Sequence, residues 1–301
     1  MQEEFLMNRK LLVVLNPCSG KKKANRYFIN IIALFNAKGC DCDVHVTGFA
    51  GDAAEYVRQN AGGHDMVVCI GGDGTLNEVI TGLVSGGWDI PIGYIPSGST
   101  NDFASSLGIS KNIMEAARGI LRGSPEPYDI GRFNNRYFSY VASFGAFTKV
   151  SYDTPQALKN SFGHFAYVME SIKELPDIKP IHAKITADGN TFEGDYVFGA
   201  ISNSTSVAGT ITLDPDVVDF GDGRLEVLLI KAPTTPTDWT NIAKAYTTKQ
   251  YNNDTVKFFS AESIDIEISP DVDWTLDGEY EPGRDKVEIR TIMHAIRLIK
   301  K

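Results

Sequence analysis

Long apolar runs are missing from this chain. The longest, such as LLVVL over 11–15, fall far short of the ~20 residues that span a bilayer, and the acidic opening MQEEFLMNRK lacks the apolar core of an export signal. The expectation is a protein neither exported nor membrane-spanning. Cysteine is scarce: Cys18, Cys40, Cys42 and Cys69 all fall in the first quarter, without the paired C-x-x-C spacing of a zinc site. Such thiols fit a reduced, cytoplasmic chain. Positive charge is short as well, with 29 Lys and Arg against 38 Asp and Glu, a net charge of -9 and a pI near 5.1. That balance argues against the clustered basic footprint that nucleic acid requires.

Several catalytic spellings are also absent. The five histidines, His45, His64, His164, His182 and His294, form no H-x-x-x-H or H-E-x-x-H pair, and there is no G-x-S-x-G elbow. Metallohydrolase and serine-hydrolase readings therefore have no support. No G-x-x-x-x-G-K-[ST] loop occurs, and Gly72-x-Gly74 is followed by Asn77 where a dinucleotide fingerprint needs Gly or Ala. No internal repeat or low-complexity linker is found.

What is present is enough for two domains: 301 residues, 43% of them hydrophobic. The first part alternates strand-like and helical patterns. LLVVLN (11–16) precedes a helix with Tyr27, Ile31, Leu34 and Phe35 on one side; DVHVTG, a helix near DAAEYVRQN, MVVCI (66–70), a helix from near Thr75 and IPIGYI (90–95) follow. Alternation of this kind predicts a three-layer α/β domain on a mostly parallel sheet.

Past RGSPEP (122–127) the strand-like stretches YFSYVASFG, IHAKITAD, TFEGDYVFGAISN, RLEVLLIKA, VKFFSAESIDIEIS and KVEIR, joined by Gly, Asn and Asp turns, predict an antiparallel β-sandwich. Helical interruptions are expected at 155–175 and from Thr237 or Asp238. The division is placed at 1–128 and 129–290, with 291–301 a candidate to return to the first domain.

The chemistry-bearing stretch is CIGGDGTLNEVITGL (69–83). Gly71, Gly72 and Gly74 follow an apolar strand, and Leu76, Val79, Ile80 and Leu83 give the next segment a helical stripe. A glycine loop that delivers a helix N-terminus suits phosphate, while a carboxylate inside it, Asp73, suits a Mg2+ or its water shell. Phosphate with metal points to a nucleotide. Ser97, Gly98, Ser99, Thr100 and Asn101 follow IPIGYI at the carboxyl edge of the sheet, where they could hold ribose or phosphate; Asp102 could join them or act as the N-cap of FASSLG.

GGDGTLNEVITGL and PSGSTNDFASSLGI (96–109), with LNPCSGKKKA (15–24), YDIGRFNNRYF (128–138), DFGDGRLEV (219–227) and LDGEY (276–280), resemble the diacylglycerol kinase catalytic-domain family in its motif order and over nearly the whole chain. That family includes bacterial soluble lipid kinases and diacylglycerol, sphingosine and ceramide kinases, and its fold is NAD kinase/diacylglycerol kinase-like.

The resemblance implies that Asn16, Ser19, Gly20 and Lys21, with Gly71, Gly72, Gly74 and Thr75, belong to the nucleotide site, Ser19 and Lys21 on phosphates. Asp129 would join a carboxylate and water network linking Asp73 to the metal. Asp222, with the carbonyls of Asp219 and Arg224, would hold a structural Mg2+. Glu279 would be the general base that takes the proton of a lipid hydroxyl. Where the family usually has N-D-x-A-R, Ser105 replaces the arginine, with Arg122 and Arg132 as speculative substitutes.

The implied activity is transfer of the γ-phosphoryl of ATP, with Mg2+, to a lipid hydroxyl, diacylglycerol foremost, in a cleft between the domains. Phe144, Phe147 and Phe165 are candidates to line the lipid pocket. The protein is expected in the cytoplasm with transient docking on the inner membrane surface, and the oligomeric state is left open, a homodimer included. The rival readings are an NAD kinase-like soluble kinase and a nucleotide- or lipid-binding regulator that has lost catalysis.

Overall fold

A computed structural model describes residues 9–20, 23–145, 179–207, 211–212 and 218–300. The expected helix at 155–175, and with it Phe147, Phe165 and the candidate Lys21, lie outside the described residues. The chain divides into two compact units, Met1–Asp129 with His294–Lys301, and Ile130–Met293.

The first unit runs β1 (Lys10–Leu15), α1 (Lys23–Asn36), β2 (Asp41–Val46), α2 (Asp52–Asn60), β3 (Met66–Gly71), α3 (Asp73–Gly86), β4 (Ile92–Pro96), α4 (Asp102–Ser106) and α5 (Ile113–Arg122). Its strands lie in the order β4-β3-β1-β2, all parallel. Leu11, Val13, Val68 and Ile70 pack with Ile31 and Phe35 of α1 and Ala117 and Ile120 of α5. Residues of the opposite parity, Leu12, Val14, Val67 and Cys69, are fully buried too, so both faces of the sheet are covered. Continuous apolar strands are what such double coverage demands. β2 forms the edge; Asp41 and Asp43 are exposed there, and so are Val44 and Val46.

Tyr27 departs from the expected stripe of α1 and is exposed; the buried face runs through Ala24, Ile31 and Phe35, with Phe28 partly buried against it. On the other helix pair, Gly82 of α3 lets α2 approach, since a Cβ there would sit 2.6 Å from the Ala54 carbonyl oxygen and 2.8 Å from Val57. All four cysteines are free thiols.

β5 (Ser124–Phe133) carries the chain into the second unit. Its first residues are the Pro-containing stretch at the change of sequence pattern, a placement open to proline where its nitrogen owes no ladder bond. There follow β6 (Arg136–Phe138), β7 (Val141–Gly145), β8 (Ile181–Ala187), β9 (Asn190–Ser202), β10 (Ser206–Val207), β11 (Ile211–Thr212), β12 (Leu225–Lys231), α6 (Pro236–Thr248), β13 (Val256–Ala261), β14 (Ser263–Ile268), β15 (Trp274–Leu276), β16 (Glu279–Glu281) and β17 (Lys286–Lys300).

The second unit's pairing is antiparallel. β9 is its spine, pairing with β8 through its first half, with β7 through its second and with β12 along its other edge. Trp274 sits at the centre of the core, its ring 5.0 Å from that of Phe133 and 4.8 Å from that of Phe144.

Two boundaries differ from expectation. α6 starts at Pro236 because Thr235 and Asp238 cap it reciprocally, Thr235 Oγ1 accepting the Asp238 N–H and the Asp238 carboxylate accepting the Thr235 N–H. β17 runs ten residues past KVEIR to Lys300, and its end returns to the first unit, where Leu298 pairs in parallel with Ile92.

Candidate active site

Three loops leave the C-terminal ends of β1, β3 and β4, the edge at which open α/β sheets bind ligands. Side chains and bare backbone lock them together. Asn16 Nδ2 donates to Thr75 Oγ1 at 2.9 Å, and Ser19 Oγ lies 2.6 Å from Ser97 Oγ. Asp73 bridges the second and third loops, its carboxylate accepting the N–H of Asp102 at 3.0 Å and of Phe103 at 3.3 Å.

The glycines have a nearer cause than room for a ligand. A Cβ on Gly98 would sit 2.7 Å from Gly72 Cα, one on Gly20 would collide with the Ser97 carbonyl, and one on Gly71 would run into the Thr75 side chain. Gly20 also holds a left-handed φ of 54°. Loop packing therefore requires glycine at these positions before any nucleotide arrives. Gly74 lies in the first turn of α3, whose leading N–H groups have no intrahelical acceptor and whose dipole favours an anion.

In the third loop, Ser99 and Thr100 are exposed, whereas Asn101 is buried and spent on its own turn, accepting from Gly98 N at 2.8 Å and donating to Gly98 O at 3.0 Å. Asp102 is not the N-cap of α4. Asn101 holds that place with φ 55°, and the carboxylate on the helix start belongs to Asp73. Ser105, standing where the family has arginine, turns its hydroxyl back to the Asn101 carbonyl at 2.9 Å.

Asp129 is buried in β5 and accepts the His294 N–H at 2.6 Å, fixing the left-handed φ of 50° at which β17 enters this unit. Glu78, from the same motif as Asp73, accepts the N–H groups of Gly51 at 2.8 Å and Ala53 at 3.1 Å and so caps α2. The motif letters give no hint of that partner, 27 residues back in the chain.

In the second unit LDGEY forms the hairpin between β15 and β16, with Asp277 at φ 50° and Gly278 at φ 85°, the pair of left-handed residues a tight two-residue turn requires. Asp277 is buried and accepts four hydrogen bonds, from Ser139 N and Oγ at 2.6 Å each, Tyr140 N at 2.9 Å and Val141 N at 3.0 Å. Burial raises its pKa above the ordinary carboxylate value, and those bonds work against the rise. Glu279, two residues on, is exposed. Arg136 reaches it at 3.4 Å while pairing with the buried Glu281 at 2.6 Å. Arg136 escaped the sequence reading because 143 residues separate it from Glu279.

The expected metal loop closes on itself through two side chains. Asp219 Oδ1 accepts from Gly221 N at 3.0 Å and Asp222 Oδ1 from Arg224 N at 2.9 Å, while the Arg224 guanidinium turns to Asp188 at 2.6 Å and the Ser260 carbonyl at 2.8 Å. A carboxylate and main-chain carbonyls are hard oxygen donors, the chemistry that Mg2+ selects. Among the described residues, no group of three or more His, Cys, Asp and Glu side chains gathers as metal ligands.

Two family models match successive parts of the chain. Residues 10–133 match the diacylglycerol kinase catalytic domain, and residues 141–300 match the YegS C-terminal NAD kinase beta sandwich-like domain. A diacylglycerol kinase of Bacillus subtilis (strain 168) is 31% identical over 274 residues, 90% of each chain. One from Staphylococcus aureus (strain MRSA252) is 32% identical over 275 residues, 91% of this chain and 87% of the relative. The crystal structure of a candidate diacylglycerol kinase from Bacillus anthracis str. Sterne superimposes with a TM-score of 0.80 at 26% identity, covering 98% of this chain and 96% of that one. With family models along both parts of its length and relatives above 30% identity over nine-tenths of it, the chain belongs to the diacylglycerol kinase catalytic-domain family of lipid kinases.

Proposed function

We propose that this lipid kinase transfers the γ-phosphoryl group of ATP to the free hydroxyl of diacylglycerol, giving phosphatidic acid and ADP. The acceptor oxygen forms a bond to the γ-phosphorus, the bond from that phosphorus to the β–γ bridging oxygen breaks, and the hydroxyl proton passes to a carboxylate. In this reading Glu279 is that carboxylate; its exposure leaves it accessible to an acceptor, and Arg136 orients it. The nucleotide phosphates meet the N-terminus of α3 and the loops of Ser19, Gly72 and Ser97–Asn101, with Lys21 adding charge.

The observation that carries the reading is the clustering of three motif loops at one sheet edge through Asp73, the Ser19–Ser97 pair and the Gly72–Gly98 approach. Mg2+ fits the donors of this chain. Asp73 and Asp222 supply carboxylate oxygens and the loop of Asp222 adds main-chain carbonyls, the hard donors that Mg2+ takes. When bound, the ion would offset phosphate charge. Asp129 acts by holding the chain at His294.

Among the described residues no helix is long and apolar enough to cross a membrane. We place the enzyme in the cytoplasm, meeting its lipid by transient contact with the inner membrane surface. The test is incubation with γ-labelled ATP, Mg2+ and either dioctanoylglycerol or NAD. Label in dioctanoyl phosphatidic acid supports the reading, and label in NADP alone, or in neither product, overturns it.

A further inference from the structure

Away from the three loops, α5, the turn at 107–110, β4 and the last residues of β17 line a cavity of about 520 Å³ that is open to solvent on the side of Arg118 and Arg122. That volume lies within the range of small-molecule sites, ~300–1,000 Å³. Every lining residue belongs to the first unit, and none belongs to the loops at 16–20, 71–75 or 97–102.

The lining has two characters. Leu107, Ile109, Ile120 and Ile299 are apolar, whereas Arg118, Arg122 and Lys300 are cationic. Arg118 and Arg122 stand four residues apart and so share a face of α5. In a chain of net charge -9 the cavity gathers three cations against one carboxylate, Glu115, which accepts from Ser110 Oγ at 2.9 Å. Lys300 lies 3.7 Å from Glu126. Neither arginine has a carboxylate partner among the described residues. Gly119 leaves the helix surface open between them, with nothing within 4 Å of where a Cβ would stand.

Two guanidinium groups on one helix face suit an anion that accepts several hydrogen bonds, and the isoleucine and leucine wall suits an apolar body attached to it. We propose that this cavity is a second ligand site, separate from the nucleotide loops, for a phosphate monoester carried on an alkyl or acyl chain. Arg122, the speculative substitute for the arginine missing at Ser105, serves this cavity rather than the third loop.

The test is calorimetric titration of the full chain with octyl phosphate, inorganic phosphate and octanol, each with and without a saturating non-hydrolysable ATP analogue. Octyl phosphate should bind at one saturable site whether or not the nucleotide analogue is present, and roughly tenfold or more tighter than inorganic phosphate or octanol. Two variants that spare the buried core, Arg118→Glu with Arg122→Glu and, separately, Gly119→Leu, should each weaken it by about tenfold or more with thermal unfolding unchanged. Unaltered binding in both folded variants, displacement by the nucleotide analogue, or equal affinity for inorganic phosphate would overturn the site.

Discussion

Asp277 and Glu279 occupy one hairpin, yet the structure gives them opposite surroundings. Asp277 is buried among four donors, and Glu279 faces solvent beside Arg136. Replacing Asp277 by Ala strands three main-chain N–H groups and one hydroxyl in the interior, where each unmade bond costs about 1–3 kcal/mol. The expected loss is several kcal/mol of stability, read as a fall in the urea midpoint, with Asp277→Asn intermediate because it keeps the shape and part of the bonding. A midpoint unchanged in Asp277→Ala would contradict this structural role. The sequence displayed both acids in one motif and could not separate them, because the donors to Asp277 come from a turn some 137 residues earlier.

At the scale of elements, the glycine loops act as packing surfaces. Gly98→Ala places a Cβ 2.7 Å from Gly72 Cα, so the second and third loops must part. Displacements of about 1 Å near a reaction centre cost up to ~10²-fold; kcat/KM for ATP should fall about 10- to 100-fold while the fold persists. Wild-type kinetics in this variant would show that the approach does not matter. The capping box of α6 supplies a pH test. Hydrogen bonds from Thr234 and Thr235 lower the Asp238 pKa to about 2, below the ordinary aspartate range. A depressed carboxylate contributes stability above its unfolded pKa and loses it as pH falls through the folded value. Acid unfolding followed between pH 4 and 2 should thus lose this component in the wild type, and Asp238→Asn should flatten the profile there. An identical profile in the variant would count against the cap.

Much at this scale was legible. Apolar runs marked the buried parallel strands, and turn residues marked the antiparallel ones, because both signals arise from local burial. The start of α6 and the strand at Ser124 were not, since a reciprocal cap and a proline tolerated in a strand override simple periodicity. The length of β17 was missed for a related reason: His294 adopts a left-handed conformation in mid-strand, which the distant carboxylate of Asp129 secures.

At the scale of the whole molecule, the acidic balance of -9 hides a local reversal of sign around α5, which composition alone could not reveal. Motif order along the chain carried the family, and relatives at 31% and 32% identity over nine-tenths of it bear that out. The acceptor chemistry remains the central claim, and it rests on one exposed carboxylate. The direct measurement is phosphoryl transfer from γ-labelled ATP to dioctanoylglycerol by Glu279→Gln, with nucleotide affinity and thermal unfolding recorded on the same preparation. The account predicts a loss of about 10²- to 10⁴-fold in turnover with nucleotide binding and unfolding temperature retained; turnover equal to the wild type would contradict it.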